Sequence, residues 1–375
     1  NGVMLAIERG EVQGICQTYT AIKHGNDAWL ADGRFKILFN LEKNPIPGVD
    51  APTIYKFTKT QEQRDIIGLY NSSVELGRPV VAPPGVPQDR VTALRRAFDA
   101  TMNYFGFSFP VKGFLIDDTL PATRAVAEFR DRLDHHLPTR RYAMLNLIDG
   151  HDTDRVASMI VNAARRPYEQ PDRFDFDIAV SPRQHADYDL RGPDDRERRI
   201  QRMVALFQFT YVGAPMMYYG TEAGMWGADD PCDRMPMVWP GMQFDPQQAD
   251  PRDRDREPCP VGFDQTTFAF YRAAIELRKK YPCLRHGGIE FFPADDEARF
   301  LAFERRDTQD RLLVGFNRGA EPYAWRIPSP AGSSVAQIFT ASGEVQKFAL
   351  AAGGESTVVT VPPLEAVVLR VAPAN

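Results

Sequence analysis

A histidine and a carboxylate come directly after an apolar run near the middle of the chain. Residues 144–148 predict a strand that is buried on both faces, and His151 and Asp152 follow it. Polar groups at the carboxyl end of a parallel strand lie where α/β barrels place their active sites. The spacing also allows a simpler interpretation, in which Asp152 or Thr153 caps the next helix and His151 is a loop histidine with satisfied hydrogen bonds.

A second polar turn follows the apolar run 214–219, which predicts another buried strand. Gly220 bounds this turn and Glu222 follows it, and the segment DDPCDRMPMVW covers residues 229–239. Between the two runs an apolar stripe at helical spacing predicts a helix, formed by Ile200, Met203, Val204, Phe207 and Tyr211. A strand, helix, strand order of this kind predicts that the two strands pair in parallel.

The elements around these turns change in character along the chain. Residues 1–102 alternate short apolar strands and helices between Pro/Gly turns, and Asp89 is placed to cap a helix. A helix over 266–280 ends in three basic residues before Pro282. Beyond 288 the rhythm becomes short strands separated by turns, which predicts a small antiparallel β-sandwich; the strands are 300–303, 312–316, 356–361 and 366–369.

Composition excludes several classes of function. The 375 residues are 43% hydrophobic and 25% charged, with a net charge of −5, so we expect no nucleic-acid partner. No window holds 18 consecutive apolar residues, so we expect no membrane span. The chain starts Asn-Gly-Val-Met, so a signal peptide either was not present or lies outside this sequence. The missing initial Met suggests a fragment.

The cysteines do not indicate a metal site. The sequence contains four, and none is in C-x-x-C spacing, so we expect packed thiols and neither a metal nor a cofactor. A bridge between Cys232 and Cys259 is the alternative.

The two polar turns together resemble the last strands of the α-amylase superfamily, glycoside hydrolase family 13, especially its neopullulanase and cyclomaltodextrinase-like branch. The matching segments are NLIDGHDTDR at 146–155, GAPMMYYGTEAGM at 213–225 and the segment 229–239, with further similarity at 102–104 and 111–114. The resemblance covers roughly 270 residues. It implies the last part of a (β/α)8 barrel over 103–287 and a C-terminal β-sandwich over 288–375.

The resemblance also implies roles for particular side chains. Asp152 would stabilise the transition state, because a fixed anion favours positive charge on the sugar ring, and His151 would bind a sugar hydroxyl. Asp230 and Arg234 match positions that hold the neighbouring glucose unit. Three further residues look architectural, namely Tyr219, Gly220 and Glu222, and Tyr219 is also a candidate substrate contact. The family usually has Asn or Ser where Gly150 stands.

The resemblance leaves the bond-breaking carboxylates unassigned. A retaining glycosidase needs a nucleophile and a general acid about 5 to 5.5 Å apart. The family takes them from its fourth and fifth barrel strands, and we find neither segment before residue 103. Asp117 and Asp118 lie past the sixth-strand region and are more simply a loop that starts a helix. We therefore expect an α-glucan or maltooligosaccharide hydrolase lineage whose activity is incomplete in this chain.

Residues 1–102 resemble a different family, the C-terminal half of tripartite-tricarboxylate-transporter solute receptors. The segments that carry the resemblance are 11–14, 29–33 and 77–90. The sequence thus predicts a chimera: an α/β fragment like a periplasmic binding protein, a partial (β/α) barrel and an all-β sandwich. The alternatives to the hydrolase are a carboxylate-binding fragment and a non-functional fusion. The sequence predicts neither oligomeric state nor compartment.

Overall fold

The chain divides into two compact units, residues 1–87 and 88–375. The computed structural model describes residues 33, 36–40, 49–61, 63–64, 102–136, 138, 140–163, 182, 185–328, 333–343, 349–351 and 356–372. In the first unit, Asn40 forms a parallel bridge with Thr53, and a short 3-10 helix covers Ile54–Phe57. The three receptor-like segments and the helix predicted after Asp89 lie outside the described residues, apart from Gly33.

The second unit begins with a small parallel sheet. Strand β1 (Leu145–Asn146) pairs in parallel with β2 (Ala214–Pro215), and Met102 forms a parallel bridge with Leu145 on the other side. The predicted parallel pairing is therefore confirmed. The regular strands are shorter than the apolar runs 144–148 and 214–219, and Pro215 has no N–H to donate to a longer ladder.

Buried amides hold the three parallel segments together. Asn103 donates from Nδ2 to Asn146 Oδ1 at 2.9 Å, and Asn146 donates in turn to the carbonyl of Val212 at 2.9 Å. Gly213, at φ +119°, lies so close that a Cβ there would be 2.5 Å from Asn146 Nδ2. A glycine is required because the conformation and the contact both exclude a side chain.

Helices cover the parallel segments. The first helical segment has a π-helical turn at each end, Tyr104–Ser108 and Lys112–Ile116, and one α-helical turn, Phe109–Val111, between them. Four helices and one helical turn follow: α1 (Ala122–His135), α2 (Val156–Val161), α3 (Asp195–Thr210), α4 (Gln265–Lys280) and α5 (Cys283–His286). Thus both of the longer predicted helices are present, as α3 and α4.

Local signals explain where α3 and α4 begin. Asp194 and Glu197 form a reciprocal capping box, because each side chain accepts a hydrogen bond from the other's backbone N–H. Asp264 caps α4 by accepting from the N–H of Thr267 at 2.9 Å. The buried face of α3 is the predicted apolar stripe.

The C-terminal region is an antiparallel sandwich, as predicted. Its six-stranded sheet has the order β3-β4-β5-β10-β7-β8, and β6 pairs with β9 across the second core. The strands are β3 (Gly288–Phe291), β4 (Phe300–Arg306), β5 (Arg311–Asn317), β6 (Tyr323–Pro328), β7 (Ser334–Thr340), β8 (Ala349–Ala351), β9 (Ser356–Val361) and β10 (Glu365–Ala372). Trp325, Ile327 and Val359 fill the space between the two sheets.

One core joins this sheet to the helices. Phe129 of α1 stacks on Phe291 of β3 with ring centroids 5.6 Å apart, and Phe207 of α3 meets Phe303 of β4 at 5.3 Å. Arg305, which is fully buried, donates to the carbonyls of Thr210 on one side and of three residues in 283–288 on the other. Burial lowers the pKa of Arg305 to about 10.

Two further predictions are corrected or extended by the described residues. Cys232 and Cys259 are not joined by a disulfide bond, so the alternative of a bridge between them is wrong. Asp117 pairs with Lys112 at 2.6 Å and Asp118 pairs with Arg299 at 2.5 Å, whereas α1 begins after Pro121. These two carboxylates lie in the loop that precedes α1, in agreement with the prediction, and both are held in ion pairs. Among the described residues, no helix is both long and apolar enough to cross a bilayer.

Candidate active site

The loop between β1 and α2 is held by a carboxylate to which the sequence analysis gave no role. Asp149 is buried, and its Oδ2 accepts from the backbone N–H of Val156 at 3.1 Å and from Thr221 Oγ1 at 2.7 Å. It thereby ties the start of α2 to the turn after β2. Burial raises the pKa of Asp149, although both hydrogen bonds act to lower it.

This arrangement overturns the simpler interpretation of the loop. The N-cap of α2 is Arg155, with no side-chain cap, and the Thr153 hydroxyl accepts instead from the N–H of Gly150 at 3.0 Å. Neither Asp152 nor Thr153 therefore caps the helix. The side chain of Asp152 is left to face outward, with 63% of its surface exposed.

Four of the predicted site residues come together on one surface. Arg234 forks Asp230, with Nε 2.6 Å from Oδ1 and Nη2 3.1 Å from Oδ2, and it donates from Nη2 to the carbonyl of His151 at 2.9 Å. The same Nη2 lies 3.7 Å from Asp152 Oδ1, and His151 Nε2 lies 3.3 Å from that oxygen. We call His151, Asp152, Asp230 and Arg234 the polar ledge.

The polar ledge is open to solvent. The exposed side-chain fractions are 52% for His151, 43% for Arg234 and 44% for Asp230. The hydrogen bond from Arg234 to Asp230 raises the pKa of the guanidinium further, so the cation persists at every pH of interest. The ledge thus presents fixed donors and acceptors side by side, which is what vicinal hydroxyl groups require.

Tyr219 is held by other residues. Its hydroxyl donates to the carbonyl of Met235 at 2.7 Å, and its ring lies 4.7 Å from the guanidinium carbon of Arg155. The hydroxyl is therefore already committed, and a substrate contact would have to use the exposed part of the ring. Gly220 adopts φ +80°, and a Cβ there would lie 2.2 Å from Met225 Sδ, so it shapes this turn as expected.

Arg155 joins the ledge to the turn after β2, and the sequence analysis did not find it. The side chain is fully buried and donates from Nε to the carbonyl of Asp233 at 2.9 Å and from Nη1 to that of Tyr219 at 2.6 Å. Its guanidinium carbon lies 4.5 Å from the ring centroid of Tyr218. The only signal was its position at the end of the segment 146–155, and its partners lie more than sixty residues away.

Asp233 is a second residue that the sequence did not indicate. In the sequence it lies between Asp230 and Arg234, but unlike them it is fully buried. Neither of its carboxylate oxygens has a hydrogen-bond partner elsewhere in the described chain. Burial raises its pKa to about 6, and the neighbouring charge of Asp230 adds to the effect. The loop that carries Asp230 and Arg234 therefore contains a buried carboxylate whose ionisation at neutral pH is unfavourable.

Comparison with known proteins agrees with this architecture. Residues 293–372 match the family described as alpha amylase, C-terminal all-beta domain. The chain therefore carries an α-amylase-type C-terminal domain. A cyclomaltodextrinase from a Bacillus species is 29% identical over 232 residues, covering 62% of this chain and 32% of that protein. Neopullulanase 2 from Thermoactinomyces vulgaris is 26% identical over 247 residues, covering 66% and 33%.

The solved structures show the same fold. An α-amylase from Anoxybacillus aligns with a TM-score of 0.52 at 15% identity, over 74% of this chain and 48% of that one. The chain spans about a third of the length of the curated relatives named above. The predicted resemblance is thus confirmed in part: the C-terminal residues match an α-amylase domain, and similar proteins include a cyclomaltodextrinase and a neopullulanase. The receptor-like origin of residues 1–102 stays a prediction.

Proposed function

We propose that the second unit carries the sugar-binding and charge-stabilising side of an α-glucan hydrolase site, and that these 375 residues alone do not cleave the substrate. The polar ledge supports this proposal, because it places an open carboxylate, an imidazole and a forked Asp–Arg pair on one surface at the end of a parallel strand. The relatives named cyclomaltodextrinase and neopullulanase agree with a glucan ligand.

The roles within the polar ledge follow from its geometry. Arg234 fixes Asp230 with both ends of its guanidinium, so the two side chains offer a rigid acceptor and donor to adjacent sugar hydroxyls. Asp152 is exposed, and its charge is only partly balanced by Arg234 at 3.7 Å. Such an anion beside a sugar ring favours positive charge on the anomeric carbon.

Cleavage needs more than this cluster. Both oxygens of Asp230 are within hydrogen-bonding distance of Arg234, so this carboxylate is not free to attack carbon or to deliver a proton. Within the polar ledge, Asp152 then has no free carboxyl partner of the kind that retaining chemistry requires about 5 to 5.5 Å away. We expect binding without turnover.

Calorimetry with maltotriose and β-cyclodextrin tests the binding. Arg234→Met should weaken binding at least tenfold, because charge-assisted hydrogen bonds contribute about 1.5–3 kcal/mol each. Arg191→Met is the matched control: that side chain is also 43% exposed and also forks a carboxylate, Glu197, so binding should not change. No heat with either sugar, or equal losses in both variants, would refute the proposed site.

A reducing-sugar assay on the same samples tests the second part of the proposal. Neither the chain nor its Asp152→Asn variant should release sugar from maltotriose above the buffer rate. Turnover that Asp152→Asn abolishes would show that this chain supplies a complete carboxylate pair.

A further inference from the structure

A cavity of about 260 Å³ lies beside the loop that carries Asp230 and Arg234. Its lining includes Ser158 of α2, Leu190, Trp226, Met235 and Gln247, and the surface that these residues offer is mostly apolar. An apolar cavity of about 150 Å³ suffices to hold benzene, so this one accommodates a substituted ring.

Two residues of the lining each have a polar atom with no hydrogen-bond partner among the described residues. Trp226 is 8% exposed, and its Nε1–H is buried and unpaired. Gln247 Oε1 is also buried and unpaired, whereas its Nε2 contacts Met235 Sδ at 3.5 Å. A buried donor or acceptor without a partner costs about 1–3 kcal/mol, and native proteins seldom leave one unexplained. Trp226 and Gln247 thus bring to the lining one donor and one acceptor that no described residue satisfies.

Charge in the described lining is balanced. Asp250 is the charged residue of the lining, and Arg254 binds its Oδ2 from Nη2 at 2.8 Å and from Nε at 3.1 Å. Ser158 Oγ already accepts from the N–H of Gly227 at 2.9 Å. The site therefore favours a neutral ligand. It does not suit a sugar ring, because the two free polar atoms cannot satisfy four or five hydroxyl groups.

We propose that this cavity binds a small, neutral, mostly hydrocarbon alcohol or phenol. Its hydroxyl oxygen accepts from Trp226 Nε1–H, a hydroxyl proton is donated to Gln247 Oε1, and the hydrocarbon part fills the apolar lining. The proposal does not depend on glucan binding at the polar ledge, because none of its contacts involves the ledge side chains.

Nuclear magnetic resonance of the 15N-labelled full chain, titrated with m-cresol and with toluene, tests the proposal. The two probes share a ring and a methyl group, and only m-cresol has a hydroxyl. The Trp226 indole resonance, assigned from its loss in Trp226→Phe, should shift in a saturable way with m-cresol. The affinity for m-cresol should exceed that for toluene about thirtyfold, as two hydrogen bonds of about 1 kcal/mol each predict.

Variants identify the groups responsible. Trp226→Phe and Gln247→Leu should each reduce the preference for m-cresol over toluene about fivefold, whereas Trp239→Phe, at an exposed tryptophan, should leave it unchanged. Ala228→Leu should fill the cavity and abolish both. The proposal is wrong if m-cresol gives no saturable shift up to its solubility limit, which is the result expected of a cavity that holds only water. It is equally wrong if the two probes bind alike in the wild type.

Discussion

Replacing Asp233 by asparagine should stabilise the protein at pH 7.5 and leave its stability nearly unchanged at pH 4. The carboxyl group is fully buried and neither oxygen is paired with another described residue, so the folded state disfavours its charge. Its pKa is about 6 in the folded protein against 3.8 ordinarily. Between these values the folded state binds more protons than the unfolded state, so the free energy of unfolding falls as pH rises.

The size of the effect follows from the same two values. Each pH unit between 3.8 and about 6 costs about 1.4 kcal/mol, so the ionised carboxylate costs about 3 kcal/mol above pH 6. Asparagine buries a neutral, unpaired polar group much as the protonated carboxyl group does, so it removes most of this cost above pH 6 and changes little at pH 4. We expect Asp233→Asn to raise Tm by roughly 6–12 °C at pH 7.5, at about 2–4 °C per kcal/mol.

Thermal unfolding followed by circular dichroism at pH 4, 5, 6 and 7.5 measures this difference. The gain should be absent at pH 4, should grow between pH 4 and 6, and should stay constant above that. Asp245→Asn, at an exposed aspartate, is the control and should show no such growth. A variant that is less stable than wild type at pH 7.5 would show that Asp233 makes a favourable ionic contact and would refute the reasoning.

Two further substitutions test the framework of the site. Arg155→Met should lower Tm by about 6–12 °C, because it removes two charge-assisted hydrogen bonds worth about 3 kcal/mol together. Arg132→Met, at an exposed arginine, is the control and should change Tm little. Equal effects of the two variants would contradict the role of Arg155. Gly224→Ala and Gly343→Ala both place alanine at φ +82°, at a cost of about 1 kcal/mol, but only at Gly224 would the new Cβ meet Asp264 Cβ, at 2.5 Å. In urea unfolding, the free energy of unfolding should fall by about 1–3 kcal/mol more for Gly224→Ala than for Gly343→Ala. Equal losses would show that the contact with Asp264 does not destabilise the fold.

Local signals made the helices and the sheets predictable. The capping residues Asp194 and Asp264 and the apolar stripe of α3 lie within a few residues of the structure they specify. The order of strand, helix and strand correctly predicted the parallel pairing of Leu145 with Ala214. Four strands of the sandwich were missed. Strands β3 and β8 are only 4 and 3 residues long, β6 ends in Pro328, and β7 has a mixed burial pattern rather than strict alternation.

The site was only partly predictable, because its framework is built by contacts between distant segments. The residues of the polar ledge come from the two segments that the sequence singled out, 146–155 and 229–239. Arg234 of the second segment contacts His151 and Asp152 of the first. Arg155 and Asp149 act through partners more than sixty residues away, which no local pattern indicates. The burial of Asp233 is also invisible in the sequence, because its neighbours Asp230 and Arg234 are both exposed.

The central claim is that an α-glucan binds at the polar ledge, and the imidazole of His151 reports on it directly. In a titration with maltotriose followed by 1H nuclear magnetic resonance, one of the six histidine resonances should shift in a saturable way. That resonance should be missing in His151→Gln, and its shift should be lost at the same sugar concentration in Arg234→Met. Maltotriose that binds by calorimetry while the His151 resonance stays unmoved would place the sugar elsewhere and contradict the account.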